Sequence, residues 1–264
     1  MIVFSALVFV ILMWGVSTGI IFYLDSLSPR TFPWSMAGAT LVLAVCGYAI
    51  WILRGNNSTA EIAISFAAGL LAWGWTEISL YMGYVTGPRK TRCVEGCSGV
   101  KHFGHAVSAN LWHEIIVILF AIVIWLTANQ TATWCFVMLW LMHLSARLNV
   151  FLGARNVSAE FVPAHMEVLK GFLRQRNMNP LFPVSCIVLV CLVYYLVMLQ
   201  QTFEITMAAT LAAIGLLEHV LLMLPLPTEK LWTWALSKKS RVSSDTSAKS
   251  HLEKQHQTVL GALL

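Results

Sequence analysis

Long apolar runs alternate with short polar segments along most of this chain. Each run holds about 20 residues, the length that an α-helix needs to cross a bilayer. The runs cover approximately residues 2–24, 33–53, 62–85, 105–127, 132–152, 183–202 and 205–225. The pattern therefore predicts an all-α, polytopic integral membrane bundle of about seven transmembrane helices within residues 1–237.

Composition supports the membrane class. Of the 264 residues, 58% are hydrophobic and only 11% are charged, whereas soluble domains carry about 25% charged residues. The mean hydropathy is +0.73. The first run starts at Ile2, has no basic segment before it and is long enough to span, so we expect no cleaved signal peptide.

The basic residues predict the orientation. Most of the 17 Lys and Arg residues fall in three segments, 89–101, 155–176 and 230–254. With seven spans, all three segments lie on one side, which the positive-inside rule makes cytoplasmic. We therefore expect a periplasmic N-terminus and a cytoplasmic C-terminus. The net charge of +5 is explained by these loops, and we expect no nucleic-acid partner.

Of two polar segments on the cytoplasmic side, one is predicted to be helical and the other disordered. Residues 156–177 carry apolar side chains near helical spacing, with Lys and Arg between them. This spacing is typical of an amphipathic helix lying on the membrane surface. The tail, 238–264, is rich in Ser, Lys and His and has few apolar residues before Val259, so we expect it to be mostly disordered.

Carboxylates and imidazoles recur inside the apolar runs. Glu77, His113-Glu114 and Glu218-His219 all lie within predicted spans, where an ionisable group costs several kcal/mol and is a functional hypothesis by default. Counted from the cytoplasmic ends, Glu77, His113 and Glu218 are each about eight residues deep, or roughly 12 Å. We therefore expect them to lie at one level.

This set of side chains predicts a metal site. Carboxylate and imidazole are the ligands of non-haem iron, and helical bundles hold di-iron pairs with inward-pointing Glu and His. Glu160 and His165, in the adjacent surface segment, could cap the same level. The predicted ligands are Glu77, His113, Glu114, Glu160, His165, Glu218 and His219. Neighbours on a helix point about 100° apart, so which member of each adjacent pair binds metal stays open.

Other interpretations of these residues stay open beside the metal site. The polar groups would also form a purely structural network, with Glu77 paired to Arg147. Alternatively, His113, His143 or His219 would be the axial ligand of a haem or chlorophyll. His143 lies in mid-helix away from the main level, which favours a packing or hydrogen-bonding role. Cys93 and Cys97 have no matching second pair, so loop cysteines are favoured over a zinc site.

Four stretches of the chain resemble a known family. They are Thr86-Gly-Pro-Arg89, the His113-Glu114 helix, the segment from Leu144 through Arg155 to His165, and residues 217–227. Together they resemble the photosynthetic complex assembly protein family PuhE of purple and related phototrophic bacteria. The similarity runs from the third predicted span to the seventh and is most specific over 144–165.

The resemblance implies a role in bacteriochlorophyll supply or in assembly of the photosynthetic apparatus, in the bacterial inner (intracytoplasmic) membrane. It further associates the chain with the oxygen-dependent oxidative cyclase that forms the isocyclic ring of Mg-protoporphyrin IX monomethyl ester. A di-iron oxidase acting on this porphyrin with O2 is thus the leading expectation. Candidate substrate-binding residues are Arg147, Asn149, Arg155 and Trp75.

Two functions of other classes remain as alternatives. One is a non-catalytic pigment-handling assembly factor, binding (bacterio)chlorophyll, a reaction-centre subunit or other pigment-pathway proteins through its helices. The second is a transporter, which the lack of an obvious inverted repeat disfavours.

Overall fold

The seven predicted spans are all helices. The computed structural model describes residues 2–55, 58–91, 97, 99–155, 168, 171–173 and 175–224. Within these ranges, seven helices are long and apolar enough to cross a membrane, so the chain is a multi-pass membrane protein. The helices are α1 (Ile2–Asp25), α2 (Phe32–Ile52), α3 (Thr59–Tyr81), α4 (Gly99–Leu126), α5 (Gln130–Leu152), α6 (Leu181–Met198) and α7 (Phe203–Met223).

The helix starts are fixed by side-chain caps at three of the short connections. Ser58 and Glu61 form a reciprocal capping box at α3, and the side chains of Asn129 and Thr202 accept amide hydrogen bonds at α5 and α7. A cap satisfies amides that the first turn leaves without a partner. Because lipid supplies no hydrogen bonds, such caps matter most where a helix starts near the membrane.

The third helix is the centre of the bundle. It packs against α1, α2, α4 and α5, and the middle of α3 is far more buried than the lipid-facing α1, α2 and α6. Its small residues permit this approach: a Cβ on Gly69 would lie 2.8 Å from the Ala132 carbonyl oxygen of α5. Small residues at helix crossings are typical of membrane bundles, where close packing replaces the hydrophobic effect.

The connections differ at the two ends of the bundle. At one end, called here the short-loop end, residues 53–58, 127–129 and 199–202 join the helices. At the other, the long-loop end, α1 ends and α2 starts, α3 ends and α4 starts, and α5 ends and α6 starts. The predicted amphipathic helix at 156–177 lies mostly outside the described residues, and the predicted tail, 238–264, lies wholly outside them.

Asn129 holds three helices together at the short-loop end. It is buried; its side-chain amide donates to the Ile50 carbonyl of α2 at 3.2 Å and to the Ser65 hydroxyl of α3 at 2.9 Å. Its side-chain oxygen accepts from the Ala132 amide at 3.1 Å. Both N–H groups and the oxygen of one side-chain amide thus take part in joining α2, α3 and α5.

We predict that Asn129→Ala lowers the free energy of unfolding by about 1–3 kcal/mol, because it leaves a buried hydroxyl, a carbonyl and an amide without partners. Thermal unfolding of the detergent-solubilised protein measures the loss. The matched control is Gln130→Ala, since Gln130 is exposed one position later. Equal midpoints for the two variants would contradict the bracing role.

Candidate functional site

A carboxylate and two imidazoles from three helices meet inside the bundle. Glu77 of α3 is 4% exposed and His113 of α4 is 1% exposed. The Glu77 carboxylate lies 3.6 Å from His113 Nε2 through Oε1 and 3.4 Å from His143 Nε2 of α5 through Oε2. The expected shared level of Glu77 and His113 is therefore present, and His143 lies at that level too.

Arg147 and Glu114 extend this cluster. The Arg147 guanidinium donates to Glu114 Oε1 at 2.6 Å and lies 2.9 Å from His113 Nε2 and 3.8 Å from Glu77 Oε1. The Trp140 indole donates to the second Glu114 oxygen at 3.2 Å. A charge pair in a membrane interior is stable only when its partners are close and hydrogen-bonded, and this pairing meets that condition.

His113 is held in place by the segment that precedes its helix. The Thr86 carbonyl accepts a 2.9 Å hydrogen bond from the His113 backbone amide, and the Arg89 amide reaches the Ser108 carbonyl at 3.4 Å. Gly87 makes this docking possible, because a Cβ there would overlap the Ser108 carbonyl oxygen and the Ala109 backbone. The Thr86-Gly-Pro-Arg89 segment therefore sets the rotation of α4 that turns His113 inward.

A cavity of about 370 Å³ opens beside the cluster. It lies between α1, α3, α5 and α7, and its polar lining includes Ser17, Glu77, Tyr81, His143 and Glu218. Apolar side chains such as Trp14, Trp73 and Leu139 form the rest of the wall. We call it the four-helix cavity.

His143 is the residue whose level in the bundle was predicted wrongly. It was expected in mid-helix away from the main level, with a packing or hydrogen-bonding role, but its ring lies beside Glu77 and lines the four-helix cavity. The Trp73 ring contacts it edge-on, with centroids 5.4 Å apart. The signal was present: His143 and Arg147 are four residues apart and hence on one helix face, and that face meets Glu77.

His219 takes part in a separate hydrogen-bonded network. Its Nδ1 lies 2.7 Å from the Gly215 carbonyl and its Nε2 lies 2.9 Å from the Ser145 hydroxyl. The Ser145 and Ser185 hydroxyls are 3.0 Å apart, and the Asn149 amide donates to Ser185 at 3.0 Å. Both imidazole nitrogens are thus engaged, Nδ1 within α7 and Nε2 with α5. Ser145 and Asn149 of α5 continue the network to Ser185 of α6, while the adjacent Glu218 lines the cavity.

The predicted substrate-binding residues are spread over the bundle. Arg147 is in the Glu77 cluster, whereas Asn149 is fully buried in the His219 network and its carbonyl accepts from Asn179. Trp75 donates to the Thr40 hydroxyl at 3.0 Å and stacks on Phe120. Arg155 is exposed after the end of α5. Glu160 and His165, predicted as metal ligands, lie outside the described residues.

The cluster matches a metal site in residue type but not in arrangement. Two His and one carboxylate are the ligand set of many non-haem iron sites, and among the described residues Glu77 Oε1 and His143 Nε2 have no hydrogen-bond partner. Against this, the Arg147 guanidinium lies on His113 Nε2, where a metal would bind. Over the described part of the chain, no group of three His, Cys, Asp or Glu residues is arranged to hold a metal ion.

Comparison with known proteins gives one family and one relative. Residues 1–243 match the family described as "Protein of unknown function (DUF3623)". The chain is 33% identical over 241 residues to a Rhodobacter capsulatus protein described as "Uncharacterized 30.4 kDa protein in puhA 5'region", covering 86% of this chain and 88% of that protein. No solved structure matches the chain.

We predict that Gly87→Ala destabilises the protein by about 1–3 kcal/mol, because the added methyl group must push the loop away from α4 in a tightly packed contact. Thermal unfolding in detergent gives the measurement. Gly104→Ala is the matched control on α4, since a Cβ there meets nothing within 4 Å. A Gly87→Ala variant as stable as this control would show that the loop does not position His113.

Proposed function

This chain belongs to the DUF3623 family, and we propose that it serves bacteriochlorophyll supply or photosynthetic complex assembly by binding a magnesium tetrapyrrole inside the membrane. The position of the Rhodobacter capsulatus relative, in the puhA 5' region, supports a photosynthetic role. The similarity of residues 86–89, 113–114, 144–165 and 217–227 to the PuhE family supports the same role.

The four-helix cavity carries this proposal. His143 lines it, and its Nε2, a buried atom 3.4 Å from Glu77 Oε2, has no hydrogen-bond partner in the described part of the chain. The central metal of a tetrapyrrole needs a single axial donor of this kind, and His143 would supply it once the Glu77 carboxyl moves aside. Trp73 contacts the imidazole edge-on and itself packs on Phe136, with the two aromatic rings 5.7 Å apart. His143 would therefore bind magnesium, and the apolar wall would bind the macrocycle.

The other polar groups of the cavity would orient the ring. Glu77 and Glu218 lie on opposite walls, on α3 and α7, and Tyr81 lies one turn beyond Glu77. The Tyr81 hydroxyl and, when protonated, the Glu77 and Glu218 carboxyl groups are suited to donate hydrogen bonds to the carbonyl and ester groups at the edge of a macrocycle. The volume is at the low end of the roughly 300–1,000 Å³ of ligand sites, so one edge of the ring would remain in contact with lipid.

The basic residues support a cytoplasmic position for the long-loop end. Of the described residues, Arg30, Arg89, Lys90, Lys101 and Arg155 lie at that end. Arg54 lies at the short-loop end. By the positive-inside rule, the N-terminus would be periplasmic and the C-terminus cytoplasmic, in the bacterial inner or intracytoplasmic membrane. The cavity would then be reached from the cytoplasmic leaflet, where other pigment-pathway or assembly proteins can dock.

We predict that the full chain, purified in mild detergent from phototrophic cells, carries a tetrapyrrole detectable by its absorbance, and that His143→Ala loses at least about 90% of it because the axial donor is gone. His105→Ala is the control, since His105 lies near Cys97 and away from the cavity. Pigment retained in full by His143→Ala would remove His143 as the ligand.

A second candidate function is the iron-dependent oxidase. The observation that favours it is the meeting of Glu77, His113 and His143 from three helices. The iron would supply oxygen activation for the oxidative cyclisation of Mg-protoporphyrin IX monomethyl ester. Glu77 and the two imidazoles would hold it, Arg147 would move to a substrate carboxylate, and the surrounding apolar side chains would exclude water.

This second function predicts at least one iron per chain, and two if the site is di-iron, after growth in iron-replete medium, measured by elemental analysis. Glu77→Ala should lose the iron, whereas Arg147→Gln should keep or increase it, because the guanidinium no longer covers His113 Nε2. Oxygen-dependent turnover of the porphyrin ester should follow the iron content. Bound pigment without turnover, in protein that holds iron, would favour the assembly factor.

A further inference from the structure

A second cavity of about 390 Å³ lies across α1 from the first. It is formed by α1, α2 and α3, and its lining is almost wholly apolar, with Leu24, Trp34, Val42 and Ile78 among its walls. It follows α1 from Ser17 to Leu24, or about 10 Å of helix at 1.5 Å per residue. We call this space the apolar groove.

The apolar groove and the four-helix cavity share a boundary. Ser17 and Ile21 of α1 and Gly74 of α3 line both. At this crossing Gly74 has no side chain, and a Cβ there would have only the end of Ile21 within 4 Å, at 3.8 Å. Beside Gly74 the two spaces therefore meet at the Ile21 side chain and Ser17, and a Cβ on Gly74 would not touch the α1 backbone.

The two tryptophans on either side of Gly74 line different cavities. Trp73 faces the four-helix cavity and touches His143, whereas Trp75 lines the apolar groove. The Trp75 indole N–H is satisfied by Thr40, and its ring stacks on Phe120 at 5.4 Å. With that N–H satisfied, the groove presents a flat aromatic wall. The partly polar four-helix cavity and the apolar groove thus lie next to each other at residues 73–75.

We infer that one amphiphilic ligand occupies both spaces, with its metal-bearing ring in the four-helix cavity and a long hydrocarbon tail in the apolar groove. The inference rests on the proposed function and deepens it, because it selects a tail-bearing tetrapyrrole, such as an esterified bacteriochlorophyll, over the corresponding tail-less acid. A membrane lipid chain alone in the groove is the alternative occupant that the test must separate.

The hydrocarbon tail enters the groove from detergent or lipid, which is already apolar. Its burial therefore contributes less binding free energy than burial from water would. What the groove adds is van der Waals contact with fixed side chains, which is also what joins helices in a membrane. The expected preference is therefore moderate, at about tenfold in dissociation constant. The ring and its axial donor supply the remaining affinity for both pigments.

The experiment compares bacteriochlorophyll a with bacteriochlorophyllide a, the same ring without the tail, by fluorescence titration of the full chain at fixed detergent concentration. Gly38→Phe places a ring in the groove at a position where a Cβ meets nothing within 4 Å. Gly47→Phe is the matched control, an equally open glycine on α2 that does not line the groove.

The expected result is a tenfold tighter binding of bacteriochlorophyll a, abolished by Gly38→Phe and kept by Gly47→Phe, with bacteriochlorophyllide a binding unchanged in both variants. Unchanged binding of bacteriochlorophyllide a also shows that the Gly38→Phe variant is folded. Equal affinities for the two pigments, or a preference that survives Gly38→Phe, would overturn the inference and assign the groove to lipid. Binding of neither pigment would overturn the proposed function, and this inference with it.

Discussion

The contact of Arg147 with Glu114, His113 and Glu77 is the interaction on which the interior of this bundle depends. Lipid offers no partner to a charged side chain, so each ionisable group must be matched by another within the protein. The guanidinium gives its 2.6 Å hydrogen bond to Glu114 and spans to α3 through Glu77. By matching these groups, one side chain of α5 keeps α3 and α4 in register around the four-helix cavity.

The fold was predictable because a membrane-spanning helix is recognised by the average hydrophobicity of about 20 consecutive residues. Seven runs gave seven helices, and the ends differ by a few residues. The largest difference is the start of α4, which is Gly99 instead of about 105. The extra turns contain His102 and Phe103, polar and aromatic residues that suit a helix end. His102 stacks on Phe151 and contacts Phe172, contacts that no hydropathy average contains.

The depth of Glu77 and His113 in the membrane was predictable, but the direction in which each side chain points was not. Counting residues from the helix ends brought Glu77 and His113 to one level, and they lie 3.6 Å apart. Which of two adjacent residues faces inward depends on helix rotation, and for α4 the Thr86 carbonyl and Gly87 contacts set it. His143, given a packing or hydrogen-bonding role away from that level, lies 3.4 Å from Glu77, and its i, i+4 relation to Arg147 would have placed it on the same helix face.

The four-helix cavity takes its walls from both ends of the chain. Trp14 and Ser17 come from the first helix and Ile214 and Glu218 from the last, and α1 packs directly against α7. During synthesis the first helices enter the membrane while the last is still unmade, and packing between helices follows insertion. The chamber therefore cannot close around a pigment until α7 has been made and inserted, so a chain that stops before α7 would have no complete chamber in which to trap one.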